Sequence, residues 1–179
     1  MTLESDFFGT HPLLTVTVAG DRAPEWPAAN RKDVRTLALD MRHKHHRGFW
    51  AMQLDEAARA AGEPHVVVAR GLACLAVVRW AQLSPKSYLG NIAGACLFSP
   101  LSFMPAQAPL AQALQPSPTL PLPFPSLVVE HRTAPLVAHL LTLIDSWGSH
   151  FIDIADFAAP DLSPPVRVEP HLPGSRLWR

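Results

Sequence analysis

Net charge is absent from this sequence: 15 Lys and Arg balance 15 Asp and Glu over 179 residues. Without a global field, a role that holds nucleic acid or an anionic membrane surface would have to come from a local patch. Cysteine is scarce as well. Cys74 and Cys96 both sit inside apolar runs, which excludes a disulfide scaffold and predicts two reduced core residues. A long hydrophobic run is also missing, since the longest, residues 66 to 78, is interrupted by Arg70 and too short to cross a bilayer. The opening MTLESDFFGTHPLL holds neither a basic segment nor an uninterrupted apolar stretch of signal length. Nothing there reads as an export signal, and a cytoplasmic protein of bacterial type is the expectation. What is present is 48% hydrophobic and 17% charged residues. That composition predicts a single compact domain over residues 1–179 with a sizeable core, and argues against disorder.

Proline is the one residue in excess. Eight of the 19 prolines fall between residues 100 and 125, and five more between 160 and 173. The first cluster predicts an irregular internal connection over 100–125, and the second an extended tail over 160–179. Between them, short aliphatic runs read as buried parallel strands at 13–18 (LLTVTV), 36–40, 65–70 (HVVVAR), 92–98 (IAGACLF), 126–131 and 150–154. Helical spacing appears at 49–61, where Trp50, Leu54, Ala57 and Ala58 share a face. It recurs at 71–83 and at 135–147, where Leu136, Leu140, Leu143, Ile144 and Trp147 do so. Alternation of this kind predicts an α/β fold, a doubly wound sheet of about six mostly parallel strands with right-handed crossovers. Function in such a sheet gathers where strands hand over to helices at their carboxyl ends.

The handover at VVVARGLACLAVVRWA combines a strand, a turn of small residues and a helix, the setting in which G-x-S-x-G presents a nucleophilic serine. Here the chain resembles the YdeN-type small serine hydrolases (retinoblastoma-binding-protein-like α/β-hydrolases), whose corresponding stretch reads roughly V-A-H-S-L-G-C-L-A. Further agreement lies in Trp26 after the first strand, the helix end at Trp80, LPFPSLVVEHRTAP and WGSHFIDI. The resemblance implies a three-layer α/β-hydrolase-like fold without a lid domain. It also puts Gly71 where the family has its serine, with Arg70 and Ala73 replacing the neighbouring histidine and glycine. Thr133, Ala134 and Pro135 fall on the acid turn, and Phe157, Ala158 and Ala159 on the segment that supplies the histidine. Only Gly20 remains of the glycine-rich first loop. Gly71, Ala134 and Ala159 are thus the degenerate triad positions.

Because triad members act as a unit, this pattern implies a hydrolase-like protein that does not hydrolyse by the family's mechanism. Substitutes are weak. Cys74 reads as packing, Ser99 and Ser102 have no predicted histidine beside them, and His171 would have only water to activate. The alternatives are an atypical esterase or amidase on small substrates, and a small-anion site at Arg70, Gly71 and Leu72 built on unpaired helix-terminal N–H groups. Pairing of Arg70 with Asp21, Glu25 or Asp156 would close that last option.

A basic stretch between residues 31 and 47 stands apart from the resemblance. Arg31, Lys32, Arg35, Arg42, Lys44 and Arg47 face only two acids, Asp33 and Asp40. It reads as a solvated loop, as a docking surface for an acidic protein partner or, less readily, as a phosphate or nucleic-acid contact. His43, His45 and His46 lie inside that positive field without a carboxylate or thiol at ligand spacing, so no metal is expected there, and no cofactor pattern is found. Proline-rich segments and Trp178 are further candidate partner contacts. A binding or assembly subunit is therefore the functional expectation.

Overall fold

The computed structural model describes residues 10–21, 33–41, 48–115 and 120–157. Within them six strands form one sheet: β1 (Leu13–Val18), β2 (Val34–Leu39), β3 (His65–Arg70), β4 (Ile92–Phe98), β5 (Ser126–Glu130) and β6 (His150–Asp153). Their spatial order is β2-β1-β3-β4-β5-β6, and all five neighbouring pairs are parallel. The helices are α1 (Phe49–Ala60), α2 (Leu72–Leu83), α3 (Ala108–Ala113), α4 (Val137–Trp147) and α5 (Ile154–Phe157). The six expected strands and three expected helices are present. The second strand begins two residues earlier than the aliphatic run suggested, because exposed Val34 and Arg35 continue it along the sheet edge.

Strand side chains alternate between two faces, as period-two geometry requires. Val16, Val67, Leu97 and Val128 pack with Leu54 of α1, most of α2, Ala111 of α3, and Leu140, Ile144 and Trp147 of α4 in one large cluster. Their neighbours Val66, Val68, Cys96, Phe98, Leu127 and Val129 form a smaller cluster on the other face, flanked by Ile152 and Ile154. The central strands are buried on both sides, which is why they read as continuous apolar runs.

The proline-rich 100–125 segment is not wholly irregular. It contains a 3-10 turn at Pro105–Gln107 and the short helix α3. Pro105 and Pro109 stand within the first two positions of these elements, where a missing N–H costs little. Leu136 does not join the buried stripe of α4 either. It precedes the helix at the N-cap and is 54% exposed. Both cysteines are buried and neither is in a disulfide, as expected. Among the described residues no helix is long and apolar enough to cross a membrane.

Candidate active site

The carboxyl ends of β3, β4 and β5 converge on one turn. β3 ends at Arg70, α2 begins at Leu72, and Gly71 between them adopts φ 56°, ψ −127°. This left-handed conformation is the strained strand-to-helix elbow that suits glycine. Two hydrogen bonds fix it: Gly71 N–H donates to the Phe98 carbonyl at 2.9 Å, and the Gly71 carbonyl accepts from Cys74 N–H at 3.0 Å. The backbone is thus that of a nucleophile elbow, without a side chain.

The space a side chain would enter is already filled. A Cβ built on Gly71 would lie 2.6 Å from the Ser102 carbonyl oxygen, closer than real Cβ atoms come. Ser102 is held there by the turn that follows β4, with its N–H donating to the Ser99 carbonyl at 2.9 Å. Ser99 has φ 45°, the only positive φ outside glycine among the described residues, and its N–H is tied to the Val129 carbonyl at 2.9 Å. The obstruction is therefore main chain anchored to two neighbouring strands, which does not rotate away as a side chain would.

Cys74, one helical turn past the elbow, is fully buried and donates its thiol to the Phe98 carbonyl at 3.4 Å. Burial is the main force pushing this thiol well above its ordinary range, and the nearby Cys96 adds to it. The thiolate needed for nucleophilic attack is disfavoured, in agreement with the packing role read from the sequence.

Arg70 is exposed and lines a cavity of about 500 Å³ together with Gly71, Thr17, Asp21, Ser102 and Gln107. The expected pairing with Asp21 or Asp156 does not occur. Asp21 instead accepts two hydrogen bonds from Gln107 Nε2, at 3.0 and 3.1 Å. Leu72, the third residue of the anion hypothesis, has a side chain only 1% exposed, so it would contribute its N–H alone. Among the described residues no group of three His, Cys, Asp or Glu could hold a metal ion.

Ala134 follows β5 in a turn closed by its N–H to the His131 carbonyl at 2.9 Å. It borders a second cavity, of about 310 Å³, with Leu101, Phe103, Glu130 and Leu136. Ser102 and Phe103 line both cavities, so Gly71 and Ala134 flank a common loop. The sequence reading missed Glu130, the last residue of β5, a residue only 8% exposed. It accepts from Ser99 Oγ at 3.2 Å and from His131 N–H at 2.9 Å. Ser99 thus has a carboxylate beside it, not a histidine. The available signal was an acid closing the otherwise uncharged strand SLVVE. Ala159, His171, Trp178, Glu25 and the basic residues Arg31, Lys32, Arg42, Lys44 and Arg47 lie outside the described residues, whereas Arg35 is exposed on β2.

Two comparisons bear on this arrangement, and a third, with curated proteins, finds no match. The fold is similar to a crystal structure described as a YdeN-like hydrolase from Pectobacterium atrosepticum. The TM-score is 0.57 at 16% identity, covering 80% of this chain and 76% of the other. Residues 23–158 match the model of the serine hydrolase family. That span includes the elbow, the β4 turn and the acid turn, so the sequence patterns and the all-parallel sheet lead to the same assignment: the chain belongs to the serine hydrolase family.

Proposed function

We propose that this protein is a non-hydrolytic member of its family, a pseudo-enzyme that uses the hydrolase scaffold as a binding or assembly subunit. One observation carries the reading: the Ser102 carbonyl oxygen stands 2.6 Å from where a Cβ on Gly71 would be. A serine at the elbow needs that space, and so does the tetrahedral intermediate beyond it. Ala134 at the acid turn supports the same reading, and by resemblance Ala159 at the histidine position does too. Loss of the nucleophile alone removes nearly all of the rate that a triad provides. The partner contact is assigned to the basic 31–47 stretch, whose local positive excess suits an acidic protein surface.

The test is ester turnover by purified full-length protein, with mass spectrometry after a fluorophosphonate probe. No adduct and no turnover above a heat-treated control are expected. A stoichiometric adduct on one residue, Ser99 and Ser102 being the nearest, with turnover lost on its replacement by alanine, would establish the atypical-hydrolase alternative instead. The partner assignment is tested by replacing Arg31, Lys32, Arg42, Lys44 and Arg47 with Gln. A co-purifying acidic partner should be lost while the melting temperature is kept.

One observation favours a second reading of the elbow. Among the described residues Arg70 makes no ion pair, and it lines the elbow cavity, where a small carboxylate or phosphate would meet its guanidinium. Asp21 on the same cavity wall opposes an anion. Phosphate or acetate should raise the melting temperature of the protein and leave that of Arg70→Gln unchanged if this reading holds.

A further inference from the structure

The cavity beside Ala134 combines apolar walls with one incompletely satisfied carboxylate. Leu101, Phe103, Pro135, Leu136 and Leu140 supply the walls, and Glu130 borders them. Both internal hydrogen bonds to Glu130, from Ser99 Oγ–H and His131 N–H, arrive at Oε1. Its Oε2 has no hydrogen-bond partner among the described residues, although the residue is only 8% exposed. That oxygen is not among the sealed, unpartnered polar atoms of the described residues, so it stays open to the cavity side as an acceptor that no donor of the described residues occupies, and a ligand with a charged donor can reach it.

We infer that this cavity binds a primary ammonium group carried on a short hydrocarbon or aromatic body. The head group follows from Glu130: an ammonium brings three donors and the opposite charge, and a charge-assisted hydrogen bond is roughly twice as strong as a neutral one. A carboxylate or phosphate ligand would be repelled by the same oxygen. A bound metal ion would need more ligands than a single carboxylate, and among the described residues no cluster supplies them. The body follows from the walls. The cavity volume, about 310 Å³, falls in the range of small-ligand pockets, which start at roughly 300 Å³. A neighbouring apolar recess of about 290 Å³ shares Leu101 and Phe103 with it and adds Ala111 and Leu143, so a longer body could run over Phe103.

The site is also built rather than incidental. Ser99 occupies φ 45°, a strained conformation for a residue with a side chain. In that conformation its hydroxyl reaches Glu130 while its carbonyl receives Ser102 N–H. The β4 turn that fills the elbow therefore also orients the carboxylate. Ala134, where the family resemblance has an acid, adds only a methyl group to the cavity wall and no second charge. The inference adds a ligand class to the binding role proposed above.

The probes are n-hexylammonium, n-hexanol and hexanoate, which share one hydrocarbon body, applied to the full-length protein in titration calorimetry and thermal unfolding. Hexylammonium should bind saturably and raise the melting temperature, hexanol should bind at least tenfold more weakly, and hexanoate should not bind. In Glu130→Gln, which keeps an acceptor for Ser99 and His131, the preference for the amine over the alcohol should disappear. Equal affinity for hexylammonium and hexanol, or an amine preference that survives in Glu130→Gln, would overturn the inference. If that variant does not fold, the amine and alcohol comparison on the unaltered protein decides alone. Amine binding by a protein that also turns over esters would sink the non-hydrolytic reading and leave this inference standing. No amine binding by an inert protein would do the reverse.

Discussion

At Gly71 a single missing side chain meets a single main-chain oxygen, and both the conformation and the contact disfavour a replacement. Gly71→Ala adds a methyl group at positive φ and drives it to 2.6 Å from the Ser102 carbonyl. Strain of this backbone type costs about 1–3 kcal/mol and overpacking about as much again. A loss of about 2–6 kcal/mol is expected in urea or thermal unfolding, large against an exposed glycine of negative φ such as Gly48, whose Cβ would meet nothing within 4 Å. A loss below about 0.5 kcal/mol, the range of ordinary surface changes, would mean that the β4 turn yields. His65 is the other residue with a sharp expectation. It is 2% exposed, and its Nε2 is buried without a hydrogen-bond partner among the described residues. Burial lowers its pKa below 6.5, opposed by a hydrogen bond with the Glu63 carbonyl and reinforced by Arg35. The folded state thus prefers the neutral ring while the unfolded chain takes up a proton first, so stability is full above about pH 6.5 and falls as pH drops toward the folded pKa. His65→Gln should flatten the acid limb of the stability curve between pH 7 and pH 5. An unchanged slope would show that other groups set it.

Among the elements, α1 and α2 are joined by a specific polar contact as well as by hydrocarbon. Trp80 Nε1–H donates to Asp55 Oδ1 at 2.7 Å, and the indole is 2% exposed. Asp55→Ala would leave that donor buried and unpaired, which costs about 1–3 kcal/mol. Asp55→Asn keeps an acceptor and should lose much less. Equal losses in the two variants would mean that the hydrogen bond is not what joins these helices. Elements of this kind were legible in the sequence because burial on one or both faces writes a period into it. The two-sided strands LLTVTV, HVVVAR and IAGACLF read as apolar runs, and Leu140, Leu143, Ile144 and Trp147 mark the inner face of α4 at helical spacing. The start of β2 was not legible, because an edge strand with exposed Val34, Arg35 and Thr36 carries no such period. Nor was α3, whose prolines signal a break unless they are known to sit in the first turn.

On the scale of the whole molecule, the elbow was legible as a vacancy and its occupant was not. Gly71 and Ala134 could be read one position at a time from a resemblance. That Ser102 fills the elbow, and that Glu130 turns toward Ser99, depend on contacts between residues about 30 positions apart that no local pattern encodes. The same distinction decides whether catalysis could be regained. If the family's activity had been lost only by substitution, then Gly71→Ser, Ala134→Asp and Ala159→His combined should restore at least weak ester turnover, because a triad is recognised by its geometry and works as a unit. The Ser102 carbonyl argues otherwise: the new Cβ would displace the turn that ties β4 to β5 through Ser99, and a misplacement of about 1 Å can cost roughly a hundredfold in rate. The triple variant should therefore melt below the unaltered protein and hydrolyse an activated ester no faster than it does. Turnover that appears in the triple variant and disappears when position 71 is returned to glycine would show that the turn moves aside, and that only three side chains separate this protein from its catalytic relatives.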